Sequence, residues 1–135
     1  MTSMRAEVGF VGCLILTLVL LGFVVWTGLR ARRALHLSGV AATVAALGLT
    51  ILFALRMGTH YDLAAAGWIT SVHHALARTA TLAYLAPLIT GALTIRDARW
   101  RPIHRRCAFV VLGLTVLSAL TGTWMLLAAP SLSAV

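Results

Sequence analysis

The chain has 135 residues, 61% of them hydrophobic and 10% charged, against roughly 25% charged in an ordinary soluble domain. Its net charge of +8 comes from arginine alone, because lysine is absent and the acids are Glu7, Asp62 and Asp97. This composition leaves no room for a soluble catalytic domain, and the placement of the arginines at the ends of apolar runs argues against nucleic acid as a partner.

Residues Met1 to Glu7 precede the first apolar run, 9–29, which no small-residue cleavage site follows, so a cleaved secretory signal is not expected. Arg30, Arg32 and Arg33 come directly after it and read as a stop-transfer flank. The second run, 34–55, carries only His36 among its ionisable residues and is crowded with Gly39, Ala41, Ala42, Ala45, Ala46 and Gly48. A connection at about 56–68 holds Arg56 and His60-Tyr61-Asp62. The third run, 69–95, contains His73, His74, Arg78, Tyr84 and Pro87; the proline predicts a kink that frees a carbonyl near mid-span. Then come Arg96, Arg99, Arg101, His104, Arg105 and Arg106, and a fourth run, 107–129, marked by Gly113, Ser118, Ala119 and Gly122.

About 20 apolar residues in a helix cross a hydrocarbon core about 30 Å thick, and each run is long enough. In lipid the backbone has to satisfy its own hydrogen bonds, so runs of this length are helices. The expected fold is all-α: an integral membrane four-helix bundle, up-down-up-down, forming a single transmembrane domain over 1–135. Trp26, Trp68, Trp100 and Trp124 fall near span ends, as an interfacial belt places them. The arginine-rich first and third connections are assigned to the cytoplasm, which puts both termini outside and makes the chain a multi-pass protein of the plasma membrane.

The histidines sort by depth. Since a helix rises 1.5 Å per residue, His36 and His60 stand about 36 Å apart on one continuous span and cannot share a metal. His36 and His104 both lie at inner ends of spans that run in the same direction, whereas His60, His73 and His74 gather at the outer side. Two imidazoles level with each other on facing helices are what axial ligation of haem b requires. His36 with His104 is therefore the expected inner haem site, and His60 with His74 a second haem or a copper or zinc site, imidazole and carboxylate being borderline ligands. His74 is preferred to His73 because it shares a helical face with Arg78, one turn on. A charge at that depth either snorkels to the outer surface or takes a partner, Asp62 or a haem propionate. Gly39 would give the macrocycle space, and Tyr84 with Thr121-Gly122-Thr123 offers polar atoms to its edge or to a quinone.

Other chemistries find little support. The acids are not at mid-span, as a carboxylate-based proton pump needs. No CxxC or CxxCH occurs, which removes zinc ribbons and covalently attached haem, and no HxxxH or HxxHH box favours a di-iron hydroxylase. Cys13 and Cys107 belong at opposite depths and are expected to be unbridged packing residues. A short repeat, Leu47-Gly48-Leu49-Thr50 and Leu112-Gly113-Leu114-Thr115, relates the second and fourth runs at an offset of 65; that register misaligns His36 and His104 by three residues.

Several of these elements fall in a familiar order: His36 opening the second span, His60-Tyr61 after it, His74-Ala75-Leu76-Ala77 and Pro87-Leu88 in the third, His104-Arg105-Arg106 at the fourth and Leu120-Thr121-Gly122 near its end. Over His36 to Leu127 the chain resembles a family of small bacterial four-helix membrane proteins of poorly defined function, one branch of which is an assembly factor for haem–copper terminal oxidases. It departs from that family at Val111-Leu112-Gly113-Leu114, where a Pro-Ile-Trp-like stretch is usual, and at Gly39-Val40, where a methionine is expected. It is also distantly similar to di-haem transmembrane cytochromes b, which carry matched histidine pairs on both sides of a four-helix core. The resemblances imply a haem b-binding protein for electron transfer or for support of a respiratory oxidase. The competing readings are a copper- or haem-handling assembly factor without redox turnover, with terminal oxidase subunits or quinone as partners, and a non-catalytic structural subunit of a respiratory complex.

Overall fold

The computed structural model describes the backbone of residues 3–132 and the side chains from 7 to 132. The helices are α1 (Ser3–Leu29), α2 (Arg33–Gly58), α3 (Trp68–Ala83), α4 (Leu85–Arg96) and α5 (Arg101–Ala128), with short 3-10 turns at Ala64–Ala66 and Ala98–Trp100. The described residues form no strand beyond an isolated antiparallel bridge between Tyr61 and Ser131, beside which the Leu132 N–H donates to the His60 carbonyl at 3.0 Å. Four segments are long and apolar enough to cross a membrane: Glu7–Leu29, Arg33–Gly58, Trp68–Arg96 and Ala98–Ala128.

Five helices make four such segments because the third is interrupted. Pro87 has no N–H to give the carbonyl of residue 83, and α3 stops there. Tyr84 keeps a right-handed helical backbone (φ −59°, ψ −24°), and bonds from Tyr84 N–H to Ala80 O and from Leu88 N–H to Tyr84 O carry the chain across. α5 begins six residues before the apolar run. Pro102 suits a first turn, where an N–H has no helical partner. Asp97 holds the turn before it, accepting from the Arg99 N–H and from Arg99 Nε, each at 2.9 Å.

α1 ends in a Schellman arrangement: Arg32 N–H reaches the Thr27 carbonyl (3.0 Å) and Ala31 N–H the Gly28 carbonyl (3.2 Å). The residue that reverses the chain is Ala31, at φ 51°, where glycine is the usual choice.

The chain divides into two compact units, Met1–Asp62 with Ser131–Val135, and Leu63–Pro130. Unit 1 is the hairpin of α1 and α2; in unit 2, α3 and α4 pack on α5. Both seams are rich in small and hydroxyl-bearing residues, which share the buried positions with Leu21 and Met57 in unit 1 and with Ile69, Val111 and Met125 in unit 2. In unit 1 Thr17, Thr27, Gly39, Thr43, Ala46 and Thr50 are buried, while Leu55, Val19 and Ile15 face outward. In unit 2 Ala80, Thr90, Thr115 and Gly122 are buried and Leu82, Leu120 and Leu127 face outward. The many outward-facing large apolar side chains fit a hydrocarbon solvent, in which small residues at the seams let helices approach closely. The Thr17 and Thr50 hydroxyls meet at 3.0 Å, each also bonded to the carbonyl four residues back. Among the described residues no buried side-chain polar atom lacks a partner.

Candidate functional site: histidines held by Thr-Gly pairs

Thr-Gly occurs three times in the chain, at 27–28, 90–91 and 121–122, and each pair holds a histidine ring. His36 is the fourth residue of α2 and leans back on the end of α1. Its Nδ1 lies 3.0 Å from the Val24 carbonyl and 3.5 Å from Thr27 Oγ1. A Cβ on Gly28 would stand 3.1 Å from the ring's Cε1, so the glycine lets the ring settle a few tenths of an ångström closer than a larger residue would.

His104 repeats this in unit 2. It is the fourth residue of α5, its Nδ1 is 3.3 Å from Thr90 Oγ1 on α4, and a Cβ on Gly91 would come within 3.2 Å of Cε1. His73 does the same from α3 toward the far end of α5: Nδ1 to Thr121 Oγ1 is 3.3 Å, and a Cβ on Gly122 would fall 2.7 Å from Cε1.

The hydrogen-bond partners place a proton on Nδ1 of all three rings. A carbonyl only accepts, so His36 donates from Nδ1–H to Val24. Thr90 spends its hydroxyl hydrogen on the Ala86 carbonyl (2.7 Å), and Thr121 spends its own on Leu117 and Ser118 (2.9 and 3.2 Å). Those hydroxyl oxygens therefore accept from Nδ1–H of His104 and His73. Each neutral ring carries its proton on Nδ1 and its basic electron pair on Nε2. A ligating histidine is oriented in this way, its second nitrogen donating to a carbonyl or similar acceptor.

The other expected site residues lie differently. His74 is exposed, its ring centroid 5.8 Å from that of His73, and Arg78 on the same face is exposed too. His73, not His74, is the member of that pair that faces α5. His60 is half-buried beyond the end of α2. Gly39 is buried against α1, where a Cβ would meet Val24 Cγ2 at 3.0 Å and Phe23 Cδ1 at 3.1 Å, so its space is taken by the hairpin partner. The Tyr84 hydroxyl donates to Thr115 Oγ1 (3.0 Å), whose hydrogen goes to the Val111 carbonyl. Cys13 and Cys107 are free thiols.

Both expected ligand pairs divide between the units: His36 and His60 belong to the first, His74 and His104 to the second. Among the described residues no group of three or more His, Cys, Asp or Glu side chains is placed to hold a metal ion. No protein-family model matches the chain, and neither a curated protein nor a solved structure does. The likeness to oxidase assembly factors and di-haem cytochromes thus stands on the sequence elements alone.

Proposed function

We propose that this chain is a multi-pass protein of the bacterial plasma membrane that binds haem b, with His36 and His104 as the ligands of an inner site. Its role would be electron transfer or support of a respiratory oxidase. The observation that carries this reading is the recurrence of one arrangement in two hairpins. An imidazole at the fourth position of the returning helix gives Nδ1–H to the preceding helix and keeps its basic pair on Nε2. The donor set suits haem iron, since imidazole nitrogen is its common axial ligand and an anchored Nδ1–H raises the basicity of Nε2. A bound haem would supply reversible one-electron chemistry; the chain's part is to hold the rings, fix their tautomer and exclude water with its apolar helices. The outer residues His60 and His74, with Arg78 toward a propionate, would serve a second haem or a copper or zinc ion.

Absorption spectra of detergent-solubilised protein, expressed with ample haem supply and recorded oxidised then reduced, test the reading. A Soret band that His36→Ala or His104→Ala abolishes is the expected result, and its absence from the unaltered protein overturns the proposal.

A second reading has its own support. The rings rest on Gly28 and Gly91 and bridge the helices of each hairpin, which suits struts in a structural subunit of a larger complex. Co-purification with large respiratory subunits, unchanged by either substitution, would favour it.

A further inference from the structure

The turn after α1 gathers two cations on one aromatic ring. With Ala31 at φ 51° the chain doubles back, and the guanidinium carbons of Arg30 and Arg32 lie 5.3 and 5.6 Å from the Trp26 ring centroid. The negative face of an indole attracts a guanidinium, so the ring holds both groups without neutralising either. Two like charges at one ring call for an anion. Within unit 1 the acids are Glu7 and Asp62, each at the far end of a helix more than 20 residues long, on the order of 35 Å away. The balancing charge has to come from outside the unit.

The surroundings say what kind of anion. Guanidinium is a planar fork of donors that matches phosphate oxygens, and two such forks held at one ring can both turn to a single phosphate. Trp26 and its arginines are exposed at the end of an apolar helix, where an indole sits at the depth of lipid headgroups. Beside them Phe23 lies 6.0 Å from Trp26, ring to ring, and Leu29 is 63% exposed. Such a surface offers acyl chains a wall directly under the charged pair, which a soluble phosphate would not need. We propose that Arg30 and Arg32, seated on Trp26, form a clamp for the phosphate of an anionic phospholipid. The clamp is independent of any haem.

Brominated lipids, which quench a nearby indole, provide the test. The full-length protein is reconstituted in phosphatidylcholine vesicles containing either brominated phosphatidylglycerol or brominated phosphatidylcholine at equal mole fraction. A Trp26→Phe chain supplies the background from the other tryptophans. The anionic lipid is expected to quench Trp26 at a mole fraction on the order of tenfold lower than the zwitterionic one, in line with two arginines acting together. Arg30→Gln with Arg32→Gln should erase the preference, with helical content by circular dichroism unchanged; Arg33→Gln should leave most of it. Equal quenching by the two lipids overturns the proposal, as does a preference that survives the double substitution. Full reversal by millimolar inorganic phosphate would also overturn it, because the site would then serve a free anion.

Discussion

Gly122 is buried under the His73 ring, and a methyl group added there would lie 2.7 Å from Cε1, closer than two carbons approach. Gly113, nine residues earlier on the same helix, has nothing within 4 Å of the corresponding position. The two therefore respond oppositely to one substitution. Gly122→Ala should destabilise the protein by about 1–3 kcal/mol through overpacking, while Gly113→Ala should be neutral or gain up to about 1 kcal/mol from helix propensity. Thermal unfolding in detergent, followed by circular dichroism, measures both; equal effects would mean that the ring does not rest on Gly122. Within unit 1 the Tyr61 hydroxyl donates to Glu7 Oε1 at 3.1 Å. Burial pushes this phenol above its ordinary value of 10.0, and the neighbouring Glu7 carboxylate pushes the same way. A raised value means that the folded state holds the proton more tightly. The stabilisation is thus complete below pH 10 and lost as pH rises through the shifted value. Alkaline titration of the melting temperature should show a fall in that range which Tyr61→Phe reduces.

At the scale of elements, α1 ends where its backbone bonds close on Ala31, a residue with a Cβ in a left-handed conformation. That conformation costs an L residue roughly 1–2 kcal/mol, and glycine avoids most of it. Ala31→Gly should raise stability by somewhat less than that, because the unfolded chain gains freedom; a drop would show that the turn is held by something other than the Schellman bonds. The helices themselves were legible in the sequence, since uninterrupted apolarity admits no other backbone in lipid. The break before Pro87 was legible too, and its place four residues upstream follows from the missing N–H. The early start of α5 was not, because Arg101, Arg105 and Arg106 read as a loop by polarity, while the turn capped by Asp97 and Pro102 already favours helix. The histidine cradles were missed for a similar reason. Depth ranked His36 and His104 together, but not their threonines, and the face shared with Arg78 drew attention to His74 when His73 is the ring turned toward α5. The usable signal was the Thr-Gly pair, present three times and matched to three of five histidines. Aligned on the cradles, the two hairpins correspond at offsets of 63 for the threonines and 68 for the histidines. The offset of 65 for the Leu-Gly-Leu-Thr repeat falls between, and both its threonines, Thr50 and Thr115, make hydroxyl pairs across their own hairpin.

For the whole molecule the deciding quantity is the distribution of charge over the connections. Arg30, Arg32 and Arg33 in the first and Arg96, Arg99, Arg101, Arg105 and Arg106 in the third make eight of the eleven cations. Two crossings separate those connections, so four helices that all span put them on one side, which the positive-inside rule predicts to be the cytoplasmic one. Asp97 offsets only part of the third group through its exposed pair with Arg99 (2.9 Å), and an exposed pair of this kind holds about 0–1 kcal/mol. In a chain with Cys13→Ser and Cys107→Ser, Ala98→Cys should resist a membrane-impermeant maleimide in intact spheroplasts and react once they are permeabilised. Thr59→Cys, exposed in the connection after α2, should react at once. Labelling of both before permeabilisation would mean that the helices between them do not cross. Labelling in the reverse order would place His36 and His104 at the outer face, and the phosphate clamp at Trp26 with them, facing a leaflet poorer in anionic lipid. Orientation thus decides which leaflet the arginines meet and toward which face of the membrane the rings of His36 and His104 lie.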